Sequence, residues 1–126
     1  YNPTKADHIF TPEVDGLAQD WSSFAGGLVY INPPYGRSSA IWVKKVHSEL
    51  LKTPDLEVVM LLAGRIDTRW FQDLMATAKA VCFWKGRLTF KGAKDPALFP
   101  SALFYFGPKP LSFYAIFQEY GTTLVL

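Results

Sequence analysis

The 126-residue chain holds a single cysteine, Cys82, so an intramolecular disulfide framework is excluded. A lone thiol fits a reducing compartment. With no base beside it in sequence, Cys82 reads as a buried strand thiol rather than a nucleophile. Histidine is as scarce: His8 and His47 stand 39 positions apart, and with no second cysteine the spacing of a zinc site is lacking. No metal is expected. The longest aliphatic stretch, residues 58–63, falls far short of the ~20 residues that a membrane span needs. No secretory signal pattern is visible. A glycine-rich loop ending in Gly-Lys-Ser or Gly-Lys-Thr is missing, which argues against an NTPase. Repeats, low-complexity tracts and linkers are absent too, so residues 1–126 read as one domain. The first residue is Tyr1, and the expectation is a processed chain or a fragment of a longer one.

What is present is a foldable composition, 49% apolar and 19% charged. A soluble chain of this length can bury roughly two-thirds of the surface it exposes when unfolded. The net charge of +2 is unevenly placed. Residues 1–36 carry Lys5 against Asp7, Glu13, Asp15 and Asp20, or −3, and the remainder carries 12 bases against 7 acids, or +5. The downstream part is the face for a polyanion. Its densest basic run, Lys85, Arg87, Lys91 and Lys94, is interleaved with Trp84 and Phe90 and reads either as a solvated hairpin or as a nucleic-acid contact.

The pattern along the chain alternates strand and helix. Residues 28–31 are of β-forming type and stop at Asn32-Pro33-Pro34. Ser38 or Ser39 can cap a helix to about Leu51, with Trp42, Val46 and Leu50 on one face. Residues 57–63 form a continuous apolar run, as in a strand covered on both faces, and suggest a parallel sheet. Asp67 or Thr68 can start a second helix to about Lys79 that buries Trp70, Phe71, Leu74, Met75 and Ala78. A short strand at 81–84 pairs with 87–90, a loop fills 91–100, and 101–106 is another buried strand. Pro110 suits the first turn of a helix over 111–119, although Phe113, Tyr114, Ile116 and Phe117 also suit a strand. A final strand covers 122–126. The expected fold class is an open, mostly parallel α/β sheet, whose ligand crevice lies at the carboxyl ends of the strands.

The Asn32 loop lies at such an end. Two prolines fix φ and remove two donors, so the loop presents acceptors: the Asn32 side-chain oxygen and the Pro33 carbonyl. Tyr35 adds a flat aromatic face. A planar amino group has two N–H donors to give and a ring to stack, which suits an adenine amine or a similar amide. Accepting both N–H bonds localises the nitrogen lone pair and points it at an electrophile. Such a site works by positioning and by stabilising the positive charge that develops on nitrogen. On the dipeptide alone, Asn-Pro is an ordinary turn.

Asn32-Pro33-Pro34-Tyr35 after an apolar strand resembles the signature of S-adenosylmethionine-dependent amino-methyltransferases that act on adenine N6, cytosine N4 or a glutamine amide. Asp15-Gly16-Leu17, 17 positions upstream, is similar to the acidic motif of the DNA members. The resemblance implies that Asp15 accepts from the amino group of the cofactor adenine, that Leu17 packs on its ring, and that Gly16 and Asn32 complete the contact. Phe99-Pro100-Ser101 resembles the motif whose aromatic stacks the flipped target base against Tyr35. A base inside a duplex cannot reach the methyl donor, so extrusion is needed. Phe99 also reads as a core anchor, with Phe90 and Trp84 as reserves.

The wider order of motifs is similar to the phage-type, Dam-like DNA N6-adenine methyltransferases. It runs through Phe10-Thr11-Pro12-Glu13, Arg65-Ile66-Asp67-Thr68-Arg69-Trp70-Phe71 and Gly86-Arg87-Leu88-Thr89-Phe90. The resemblance implies a Rossmann-like methyltransferase sheet, S-adenosylmethionine as cofactor, double-stranded DNA as partner, and cytoplasmic DNA modification in a phage or its bacterial host, as in restriction-modification. Nucleic-acid contacts would fall to Arg37, Arg65, Arg69, Lys85, Arg87, Lys91 and Lys94. The two rim arginines also read as a solvated turn and Asp67 as a helix cap. The family binds the methionine part of its cofactor with a segment upstream of residue 1, for which Gly26-Gly27 is a poor substitute. The N-terminal cofactor segment is therefore expected to be missing. The alternatives are methylation of RNA adenine or a protein glutamine, and a non-catalytic nucleic-acid-binding remnant.

Overall fold

A computed structural model of the chain describes residues 6, 8–10, 15–24, 26–34 and 36–126. Strand β1, Leu28–Ile31, ends where Pro33 and Pro34, with no N–H to donate, stop a ladder. Helix α1, Ser38–Lys52, follows Gly36, whose φ of 103° favours glycine. The expected serine cap is not formed. Arg37 precedes the first helical residue without a side-chain cap, and the Ser38 hydroxyl donates instead to the Pro34 carbonyl at 3.0 Å. That bond fastens the proline loop to the helix behind it. Strand β2, Glu57–Ala63, leads to helix α2, Arg69–Thr77, and here the cap is the expected Thr68, whose hydroxyl accepts from Phe71 N–H at 3.3 Å. Strands β3, Ala80–Trp84, and β4, Ser101–Phe106, are followed by helix α3, Pro110–Phe117, and strand β5, Gly121–Val125. The last helix takes one of the two forms open to its sequence. Phe113 and Phe117 turn onto the sheet, and Leu111, Tyr114 and Ile116 stay exposed.

The five strands form one open mixed sheet in the order β1-β2-β4-β3-β5. An α/β fold is what the alternation predicts, but the expectation of a mostly parallel sheet needs correcting. Only β1 with β2 is parallel; β2 with β4, β4 with β3 and β3 with β5 are antiparallel. The cause is the 85–100 connection, which stays at the carboxyl end of β3. The chain re-enters the sheet there, and β4 has to run back between β2 and β3. Strands β1, β2 and β3 still share one direction. Residues 87–90 do not pair beside β3 either, because β4 and β5 already occupy both of its edges.

Both faces of the sheet are covered. Val58, Met60, Leu62 and Phe104 pack under Val43 and Val46 of α1 and Phe71 and Leu74 of α2. Val59, Leu61, Cys82, Leu103 and Tyr105 form the second core with Phe113, joined by Trp84, Leu88, Phe90 and Phe117. A strand between two cores must be apolar at every position, whatever its direction. Among the described residues, no helix is long and apolar enough to cross a membrane.

Candidate active site

Three segments meet at one rim of the sheet: the loop after β1, the turn after β2, and the end of the 85–100 connection. The second and third are tied together. Gly64 N–H donates to the Pro100 carbonyl at 2.7 Å, and a Cβ at Gly64 would stand 3.2 Å from the Pro100 ring and 3.3 Å from its carbonyl oxygen. The Arg65 guanidinium lies over the Phe99 ring, 5.0 Å from its centroid. Thr68 closes the turn by donating from its hydroxyl to the Arg65 carbonyl at 2.7 Å, and Gln72 Nε2 donates to the Ile66 carbonyl at 2.6 Å.

A cavity of about 280 Å³ opens among Gly36, Arg37, Ser39, Ala63, Arg65, Thr68, Trp70 and Phe99. It thus gathers Arg37, Arg65 and Phe99, three of the residues singled out by sequence. Gly36 and Arg37 of its wall follow the Asn32 loop in sequence, while Asn32, Pro33 and Pro34 do not line it. Asn32 is exposed and Pro33 is buried. Tyr35 lies outside the described residues. Arg69 is exposed at the start of α2 on the same rim. Lys85, Lys91 and Lys94 are exposed on the connection and do not line the cavity. Arg87 is also exposed, but its Nη1 donates to the carbonyls of Leu98 at 2.6 Å and Ala97 at 3.3 Å, bracing the stretch that presents Phe99. Of the reserve aromatics, Trp84 stacks on Tyr120 at 5.1 Å and Phe90 packs against the second core.

The Asp15 segment is a 3-10 turn, Gly16–Ala18, capped by Asp15, whose Oδ1 accepts from Leu17 N–H at 3.1 Å. Asp15 is exposed and Leu17 half-buried, while Gly16 is buried. A Cβ there would stand 3.2 Å from the Trp42 ring of α1, so glycine is what allows the turn to lie on the helix. Sequence reasoning missed what holds this turn, an ion cluster of Lys45, Glu49 and Lys52. Glu49 is buried, with Lys52 Nζ at 2.8 Å and Lys45 Nζ at 3.6 Å, and its Oε1 accepts from Trp21 N–H. Burial pushes the Glu49 carboxyl up, yet the Lys52 hydrogen bond, the Trp21 amide and the two ammonium charges outweigh it and hold the carboxyl below its ordinary value. Its helical spacing was the available signal, but that spacing also marks ordinary surface pairs. Trp70, Ser39 and Thr68 as cavity walls were also missed. Their sequence roles as core or cap residues gave no hint of a cavity.

The fold and site define an α/β protein with an arginine- and aromatic-lined cavity at the carboxyl rim of its co-directional strands. No curated protein matches the chain. The sequence profile of the DNA N-6-adenine-methyltransferase (Dam) family matches residues 1–99, and the chain belongs to that family. Membership makes it a transferase whose reaction is N6-adenine methylation and whose substrate is DNA. Among the described residues, no group of histidine, cysteine, aspartate and glutamate side chains could hold a metal ion.

Proposed function

We propose that the chain transfers a methyl group from S-adenosylmethionine to the N6 amino group of an adenine flipped out of duplex DNA, as a single domain built on a Rossmann-like methyltransferase sheet. The observation that carries the reading is a cavity walled by Phe99, Trp70 and two arginines, one of which, Arg37, follows the Asn32 loop in the chain, although Asn32 itself does not line the cavity. Its ~280 Å³ is near the lower end of small-ligand pockets, a size for one base. The donor set also fits the cofactor's adenine end: the Asp15 carboxylate, with one oxygen engaged by Leu17 N–H and the other available to accept, beside a half-buried leucine. When bound, S-adenosylmethionine supplies an electrophilic methyl group.

The chain's own residues then act by position. Asn32 Oδ1 and the Pro33 carbonyl accept the two N–H bonds of the target amine and stabilise the charge that grows on its nitrogen. Phe99, with Tyr35, holds the extruded ring by stacking, worth about 1–3 kcal/mol per base. Arg37, Arg65 and Arg69 take the phosphates that flank the flipped nucleotide, and Lys85, Arg87, Lys91 and Lys94 take more distant ones.

The test is to incubate the protein with tritiated S-adenosylmethionine and unmethylated DNA and to digest the product to nucleosides. Label in N6-methyladenine is expected from the native chain. Asn32→Ala should lower kcat by roughly 10²-fold or more with little change in cofactor affinity. Near-normal turnover by Asn32→Ala overturns the loop assignment. No label in DNA, with label appearing when RNA or a glutamine-containing protein is offered instead, overturns the substrate.

A further inference from the structure

We propose that the ion cluster of Lys45, Glu49 and Lys52 on α1 is a positioning device for the cofactor site, with Glu49 the residue that sets where Asp15 stands relative to the Asn32 loop. This rests on the cofactor reading of Asp15 given above. The contacts form a continuous chain. Glu49 receives Trp21 N–H; the Trp21 indole N–H donates to the Gly16 carbonyl at 3.1 Å; Gly16 adjoins Asp15. Lys45 donates to the Gln19 carbonyl and lies over the Trp21 ring at 5.2 Å, and Lys52 reaches Asp20 at 3.4 Å. Both Trp21 and Glu49 are 1% exposed.

Stability alone gives little reason for this arrangement. Replacing a buried ion pair by apolar side chains is often neutral or stabilising, so a carboxylate kept at 1% exposure points to a requirement for position. The helix supplies that position. Its first turn is bonded to the catalytic loop through Ser38 and Pro34, its Trp42 leaves little room for a Cβ at Gly16, and its last turns grip residues 19–21. One rigid element therefore spaces the acceptor for the cofactor adenine from the acceptors for the target amine.

The experiment compares the native chain with Glu49→Gln, Lys45→Met and Asp15→Ala. It reads the Kd for S-adenosylmethionine by calorimetry, kcat and the KM for S-adenosylmethionine on DNA, and the amide exchange rate of Leu17. Glu49→Gln and Lys45→Met should raise Kd and the KM for S-adenosylmethionine roughly tenfold, while kcat at saturating cofactor stays within about twofold. Faster exchange at Leu17 should accompany both, because the Asp15 cap loosens. A packing role would not separate KM from kcat in this way. Unchanged Kd in Glu49→Gln and Lys45→Met, beside a lost affinity in Asp15→Ala, overturns the inference and leaves the cofactor reading standing. Native affinity in Asp15→Ala, or no binding by the native chain, overturns that reading and the inference with it. Should Glu49→Gln fail to fold, Lys45→Met decides by the same criterion.

Discussion

At Phe99, one face of the ring is already covered by the Arg65 guanidinium. An extruded base has to take the other face or displace the cation. An exposed cation over an aromatic ring is worth about 0.5–1 kcal/mol, and a stacked base about 1–3 kcal/mol, so displacement is favourable. On the proposed reading, stacking then decides the flipping equilibrium when the target is paired and extrusion is costly. It matters less when the target is mismatched and extrusion is cheap. With 2-aminopurine at the target position, Phe99→Ala should lose most of the flipped-base fluorescence for a paired target and keep most of it for a mismatched one. Equal losses for both would mark Phe99 as core packing. Asn32 and Phe99 stand out in the sequence because each lies in a local motif, and the fold places Phe99 on the cavity wall. Glu49 could not, because its amide partner is 28 residues away in Trp21 and its burial is a product of the fold.

The joint between α1 and residues 16–21 is where the protein should be sensitive to acid. Asp20 accepts from Ser22 N–H at 2.9 Å and is bonded by Lys52, and its carboxyl is brought down to about 2. Glu49 also lies below its ordinary value. Both folded values are depressed, so the stabilisation is complete above the ordinary carboxylate range of about 4 and is lost as pH falls through the folded values. The melting temperature should be level from about pH 7 to 5 and fall between about pH 4 and 2, with a shallower fall in Glu49→Gln. Equal acid slopes in thermal melts of the two proteins would show that Glu49 does not carry the effect. Elements as such were legible: the apolar runs at 57–63 and 101–106, the Thr68 cap and Pro110 each mark a boundary that the fold uses. Strand direction was not, since Val58 through Ala63 must be apolar between two cores whether their neighbours run parallel or antiparallel. The failed hairpin at 87–90 has the same origin: pairing depends on which edges remain open, and β4 and β5 take both edges of β3.

Across the whole molecule the charge is sorted, −3 over residues 1–36 and +5 beyond. The topology brings seven of the twelve downstream bases toward the rim that holds the cavity. Arg37, Arg65 and Arg69 follow the ends of β1 and β2, and Lys85, Arg87, Lys91 and Lys94 lie on the connection leaving the carboxyl end of β3, all of them exposed. If this rim lies on the DNA backbone, each neutralised phosphate adds about −0.9 to the slope of log affinity against log salt. Lys85→Gln and Lys94→Gln should each flatten that slope by about 1 and weaken binding alike on all sequences. Neither should change the flipped-base signal once DNA is saturating, because neither residue lines the cavity. Arg87→Gln should differ. Its guanidinium braces the Leu98 and Ala97 carbonyls, so its loss disturbs Phe99 and lowers flipping as well as salt dependence. Titrations at several salt concentrations, read by anisotropy for binding and by 2-aminopurine for flipping, separate the two effects. A salt slope unchanged in Lys85→Gln and Lys94→Gln would make the connection a solvated face and confine the DNA contact to the three rim arginines.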